Sequence, residues 1–173
     1  MKLHKEEFLV KSEEGKTTYI DITKEVEAAI KKSEIYEGIV VVISPHTTCS
    51  VFFEEFTPDK DKNGDEFLQI DLNNVLDKIV PPHNNADTYN YPGEKHYENV
   101  ESWPNAEEYL PDGDRSALWN GDAHLKSTII GSSETFEVVN NQIGVGATGY
   151  IYFADFDKTR SRERKCKVVI IGE

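Results

Sequence analysis

Most hydrophobic residues of this chain lie in short runs rich in valine, isoleucine and aromatic side chains, which is the pattern of β-strands. The run IVVVIS at residues 39–44 is almost continuously apolar and predicts a central strand. The other runs lie at residues 8–10, 17–22, 49–56, 134–139, 142–147, 150–156 and 166–172. The dipeptide Asn140-Asn141 separates two of these runs and predicts a tight hairpin.

Three further segments predict α-helices. Residues 24–33 and 67–80 place apolar side chains three and four positions apart. Thr23 is the candidate cap of the first helix, and two prolines stop the second. A third, short helix is predicted between Asp122, its candidate cap, and Gly131, its C-terminal stop.

The order of these elements indicates the fold class. The strands come as hairpins, with helices inserted between them. The sequence therefore predicts a single α+β domain over residues 1–173, with a largely antiparallel sheet and a few helices packed on it.

Residues 81–121 show little periodicity, yet they contain both tryptophans and four of the eight tyrosines. Long loops inside compact domains are usually functional or disordered, and disordered segments contain few aromatic residues. We therefore expect this long loop to be an ordered flap or a subunit-contact loop.

Charge is distributed unevenly over the 173 residues. The net charge is −13, and the segment from Glu54 to Asp122 contains 17 acidic but only 5 basic residues. Residues 158–167, by contrast, contain 6 basic residues and 1 acidic residue, which fits either local binding of an anionic substrate or a solvated loop. The overall negative charge argues against a nucleic-acid partner.

The hydropathy pattern also bears on location. No run approaches the ~18 apolar residues of a membrane span, and the first residues lack the apolar run of a signal peptide. We therefore expect no membrane partner and a cytoplasmic location. The two cysteines, Cys49 and Cys166, are far apart and outside any paired motif, so two reduced thiols are expected.

Three of the five histidines lie beside structural discontinuities. His46 follows a predicted strand, His96 lies in the long loop and His124 is in the first turn of a predicted helix. Three neutral imidazoles and a water are a common catalytic metal set, although hydrogen-bonding histidines in a packed interface fit the same positions. His4 and His83 are interpreted as a surface and a loop histidine.

Three motifs follow one another between residue 44 and the end of the chain: SPHTTCSVFFEE, NGDAHLKSTIIGSSETFEVVNNQIGVG and IYFADFDKTRSRERKCKVVIIG. Together they resemble the YjbQ-like family, small bacterial and archaeal proteins sometimes described as secondary thiamine-phosphate synthases. The resemblance implies an α+β domain with a largely antiparallel sheet that packs as a homotrimer.

The resemblance also implies a site. His46, His96 and His124 match the histidines that gather in this family at a site able to hold a divalent metal, here zinc or magnesium. Glu55 matches the acid that ends the HTT strand, and Asp122 matches the acid before AH. These two carboxylates are the predicted catalytic residues.

Two departures from the family pattern bear on this expectation. Cys49 stands where the family usually has a small residue, so it is either a fourth ligand or a small buried side chain, and we favour the latter. The family stretch GTWQG is GATGY here, at residues 146–150. If the missing side chains hold substrate, the substrate or the reaction differs.

Three functions remain open at this point. The first is thiamine-phosphate synthesis with release of pyrophosphate, in which Arg160 or Arg162 contacts a phosphate of the small anionic substrate. The second is metal-assisted hydrolysis of a small phosphoester or amide, with Glu55 or Asp122 as the base. The third is a non-enzymatic binding or assembly protein.

Overall fold

The computed structural model describes residues 1–173, and every strand pairing in it is antiparallel. One sheet has five strands in the order β1 (Lys2–Lys11), β8 (Glu163–Gly172), β3 (Glu37–Ile43), β5 (Ser133–Val139) and β6 (Gln142–Ile143). The other has three strands in the order β2 (Thr18–Asp21), β7 (Gly149–Asp155) and β4 (Cys49–Glu55). The predicted α+β class is confirmed.

Four α-helices connect the strands: α1 (Thr23–Ser33), α2 (Phe67–Ile79), α3 (Glu94–Glu101) and α4 (Gly121–Ile130). Three of them lie where the sequence predicts helices. The fourth, α3, lies in the segment 81–121, which also contains three short 3-10 turns, at Ala106–Glu108, Pro111–Gly113 and Arg115–Leu118. None of the helices combines the length and the apolar character needed to cross a membrane.

The two predicted helix caps are wrong in detail. Thr23 is the first residue of α1, and its hydroxyl accepts a hydrogen bond from the Ile151 backbone N–H at 2.9 Å. Asp122 is the second residue of α4, and Asn120 occupies the capping position. Both polar side chains are buried. Thr23 bonds a residue of β7, and Asp122 pairs with Lys126 one turn later in α4, so neither side chain caps its helix.

The predicted hairpin between β5 and β6 is confirmed, and its two-residue turn has the expected backbone conformation. Asn140 and Asn141 have φ angles of 52° and 59°. This left-handed conformation at both central residues is the one that a two-residue hairpin requires and that asparagine tolerates.

Two hydrophobic clusters fix the position of the site. The larger cluster packs α1 against the two sheets, and its fully buried members include Val26, Ile30, Val40 and Phe153. The smaller cluster includes Leu76 of α2, Ala123 of α4 and Tyr152 of β7. Because α4 is held against the three-stranded sheet in this way, its first turn lies near the end of β7 and the loop that follows.

Candidate functional site

The turn between β3 and β4 contains the PHTT motif and places His46 beside the start of β8. The Nε2 atom of His46 accepts a hydrogen bond from the Lys165 backbone N–H at 2.9 Å, so the neutral ring carries its proton on Nδ1. Under the turn, Arg164 donates to the Thr48 hydroxyl at 3.2 Å and to the Asp155 carboxylate at 2.6 Å. This buried ion pair fixes the turn.

A second group of side chains surrounds Tyr91. Its hydroxyl lies 3.2 Å from Nε2 of His96, and its ring centroid lies 5.3 Å from that of His124 in an edge-to-face arrangement. The backbone of Thr47 acts on the His124 ring and raises the pKa of that imidazole, which connects this group to the PHTT turn. The fold thus brings α3, α4 and the turn after β3 together.

The carboxylate of Asp157 lies at the centre of the charged side chains near this group. Asp157 is buried and accepts hydrogen bonds from Arg162 at 2.7 Å, Asn120 at 3.0 Å and Thr159 at 2.6 Å. Burial alone raises the pKa of a carboxyl group, but the charge of Arg162 and these hydrogen bonds outweigh it, so the pKa of Asp157 is lowered. Asp157 is therefore ionised and holds Arg162 in place.

The second predicted substrate-binding arginine has different surroundings. The guanidinium carbon of Arg160 lies 4.5 Å from the centroid of the Tyr109 ring, and its NH1 donates to the Glu108 carbonyl. Unlike Arg162, it is not paired with a carboxylate. Arg160 therefore retains hydrogen-bond donors for an anion in the β7–β8 loop.

His46 of the PHTT turn and His124 of α4 are both held in the neutral form. Burial is the main cause that lowers the pKa of His124, and the charges of His96 and Arg162 add to it, although Asp157 opposes them. Burial, followed by the charge of Arg164, lowers the pKa of His46. At neutral pH His124 can therefore accept a proton, whereas the lone pair of His46 is already occupied by the Lys165 backbone N–H.

The histidines are not arranged as a ligand set within one chain. No group of three or more His, Cys, Asp or Glu side chains is placed so that it could hold a metal ion. Nε2 of His46 accepts a hydrogen bond from the Lys165 backbone N–H, and Nε2 of His96 lies 3.2 Å from the Tyr91 hydroxyl. Neutral imidazoles have the right chemistry for zinc, but this geometry does not fit the ion. The zinc or magnesium site of His46, His96 and His124 stays a prediction.

The two predicted catalytic carboxylates lie apart from the histidines. Glu55 is the exposed last residue of β4, opposite Gly149, and the strand separates it from the PHTT turn by about 20 Å. Asp122 is buried, and its Oδ2 lies 3.5 Å from Nζ of Lys126. Residues two positions apart on a helix face different sides, so Asp122 points away from the partners of His124.

The sequence did not assign a functional role to three residues at or near the site. Tyr91 has a signal in the sequence, since it lies five positions before His96 in the same segment. Asp157 opens the basic loop, but only the fold shows that it organises Arg162. His83 looks like a loop histidine in the sequence and is in fact buried, with an exposure of 7%.

Cys49 is a small buried side chain, as we favoured from the sequence. It is fully buried, and burial raises the pKa of its thiol to about 12. A protonated thiol is a poor nucleophile and a poor metal ligand.

Known proteins share this fold and these motifs. The family model described as UPF0047 protein YjbQ-like matches residues 6–173. The chain is 28% identical over 153 residues to the UPF0047 protein YugU of Bacillus subtilis, covering 88% of this chain and 89% of YugU. It is 30% identical over 143 residues to a UPF0047 protein of Archaeoglobus fulgidus, covering 83% of this chain and 84% of that protein.

A solved structure agrees with this result. The YjbQ/UPF0047-family protein of Clostridium acetobutylicum, described as an orthologue of YugU, superimposes with a TM-score of 0.66 at 28% identity. The match covers 95% of this chain and 98% of that protein. The chain belongs to the YjbQ-like (UPF0047) family, as the three motifs predict.

Proposed function

We propose that the protein is an enzyme acting on a small phosphorylated substrate at the group formed by Tyr91, His96 and His124, with Arg160 of the neighbouring β7–β8 loop contacting the phosphate. One observation carries this proposal: the neutral imidazole of His124 packs against Tyr91, which pairs with His96, and the group lies beside the basic β7–β8 loop. An arginine without a carboxylate partner supplies the charge that a phosphate needs.

The reaction that we favour is thiamine-phosphate synthesis. The bond between the methylene carbon of a pyrimidine and its diphosphate oxygen breaks, and pyrophosphate leaves with the electron pair. The ring nitrogen of a thiazole phosphate then forms the new bond to that carbon. Arg160 stabilises the charge on the leaving pyrophosphate, and the partly buried rings of Tyr91 and His124 limit the access of water.

Hydrolysis of a small phosphoester is the second candidate, and the lowered pKa of His124 favours it. An imidazole that is neutral at pH 7 can accept a proton from an attacking water molecule. In this reaction the same arginine would hold the phosphate group.

Rescue of a thiamine-requiring bacterial strain separates these candidates. We expect the parent protein and His4→Ala to restore growth, because the His4 side chain hydrogen-bonds Glu6 on β1 and lies outside the site. His124→Ala and Arg160→Ala should fail to restore it. If the parent fails as well but cleaves a phosphoester in a His124-dependent reaction, the hydrolase is correct. Rescue by His124→Ala equal to that of the parent contradicts both.

Elemental analysis of the purified protein tests the predicted metal separately. The three-histidine prediction requires bound zinc or magnesium that disappears in His46→Ala and in His124→Ala. Protein without such an ion, or with an ion that both variants retain, contradicts the metal site and leaves the roles of Arg160 and Tyr91 to be judged by growth.

A further inference from the structure

A polar cavity of 320 Å³ lies beside the first turn of α4. It lies near the histidine group, but Tyr91, His96, His124 and Arg160 do not line it. Its lining comes from the residues after α2, the Arg115–Leu118 turn, the start of α4 and the β7–β8 loop. Three side chains of this lining, His83, Asn120 and Asp122, are more than nine-tenths buried, with exposures of 7%, 9% and 6%.

Two buried polar atoms of these residues have no hydrogen-bond partner. Nδ1 of His83 accepts the Gly121 backbone N–H at 3.1 Å, so the proton of the neutral ring is on Nε2. The backbone of Asn85 acts on this ring, but Nε2 makes no hydrogen bond of normal geometry. The amide nitrogen of Asn120 donates to Asp157 at 3.0 Å, which leaves its Oδ1 unpaired. Since buried polar groups are nearly always hydrogen-bonded, one donor and one acceptor here lack their partners.

The formal charges around the cavity are also incompletely balanced. Lys126 is fully buried, and its Nζ lies 2.5 Å from Asp77 and 3.5 Å from Asp122. Two carboxylates share one ammonium group, which leaves one negative charge in excess at the Asp122 side. The half-buried Lys158 has no carboxylate partner, because the neighbouring Asp157 is paired with Arg162. One positive charge therefore remains unpaired in the same lining.

We propose that this cavity binds a small zwitterion of the α-amino acid type. The carboxylate of the ligand pairs with Lys158 and accepts the Nε2 proton of His83. The ammonium group of the ligand pairs with Asp122 and donates to Oδ1 of Asn120. The indole of Trp119 also lines the cavity, stacked on the His83 ring with centroids 5.8 Å apart. The cavity volume is at the lower end for ligand sites, which suits a small molecule.

Trp119 provides the readout for a binding experiment. In the Trp103→Phe variant the cavity tryptophan is the only indole, and its fluorescence is titrated with each of the standard L-amino acids. We expect a saturable change with at least one of them. The same amino acid acetylated at its amine, or amidated at its carboxylate, should produce no change. No saturable response from any amino acid, or an equal response from either capped form, overturns the proposal.

Two charge variants test the assignment of each end. Lys158→Met should weaken binding about tenfold or more, because the ligand carboxylate loses its charged partner. Asp122→Asn should do the same at the ammonium end. Lys62→Met and Asp71→Asn are matched controls at exposed positions elsewhere and should bind as the parent does. If Asp122→Asn fails to fold, Lys158→Met decides alone, and unchanged binding in that variant refutes the site.

Discussion

Lys126 shows how strongly single side chains of this protein depend on their charged partners. Its ammonium group is fully buried between Asp77 and Asp122. Replacing it with methionine leaves two carboxylates without their cation, so Lys126→Met should lower the free energy of unfolding by about 3–5 kcal/mol. Lys158→Met removes a lysine without a carboxylate partner and should change the free energy of unfolding by only about 0.5 kcal/mol. Urea denaturation measures both, and similar midpoints for the two variants would show that the buried ion pairs contribute little.

The neutral histidines give stability a pH dependence of defined sign. Burial lowers the pKa values of His124 and His46 in the folded protein, so the unfolded chain binds these protons more tightly. Their contribution to stability is therefore complete above about pH 6.5 and is lost as the pH falls below it. We expect the urea midpoint to fall between about pH 7 and pH 5 and His124→Gln to reduce that slope. A slope that His124→Gln leaves unchanged contradicts burial of this ring as a source.

Residue patterns predicted some members of the site and missed others for a physical reason. His124 and the PHTT turn could be placed at a common site because each lies at the end of an element. The role of Asp122 could not, because the direction of a side chain on α4 depends on which face packs on the sheet. The burial of His83 depends on Trp119 and Gly121, more than thirty residues later. No local pattern contains that information.

At the scale of elements, the close approach of β3 and β8 makes a sharp prediction. A Cβ atom on Gly38 would lie 2.1 Å from the Ile171 carbonyl oxygen, which is backbone and cannot rotate away. Gly38→Ala should therefore lower the free energy of unfolding by at least about 2 kcal/mol. Gly146→Ala is the control, because nothing lies within 4 Å of its Cβ position. Equal thermal midpoints for the two variants would contradict the strand packing described above.

The elements themselves were largely predictable. The β5–β6 hairpin and three of the helices follow from apolar spacing and from asparagine and glycine at their ends. The expectation that the other strands also come as hairpins is wrong, because β1 and β2, β3 and β4, and β7 and β8 lie in different sheets. The helix α3 could not be predicted, because it has only eight residues, of which only Val100 is buried. Much of its tertiary support is polar: Arg115 donates to Glu94 and Glu101 and lies over the Tyr97 ring. Such contacts leave no hydrophobic period in the sequence.

At the scale of the whole molecule, the homotrimer remains a prediction. Several apolar side chains on α2 and α4 are exposed in the single chain, with Val75 at 50%, Ile79 at 65%, Leu125 at 44% and Ile129 at 55%. A subunit interface would cover them. Light scattering should give three times the 19.7 kDa of one chain, and Leu125→Lys should reduce the mass. A monomeric parent protein contradicts the trimer.

The assay of pyrophosphate release tests the proposed enzyme most directly. The purified protein is mixed with the pyrimidine methyl diphosphate and the thiazole phosphate, and both pyrophosphate and thiamine phosphate are measured over time. We predict that the parent and His4→Ala release the two products in equal amounts and that His124→Ala and Arg160→Ala release neither. Equal release by the parent and His124→Ala, or release by none of the four proteins, would contradict the proposed synthase.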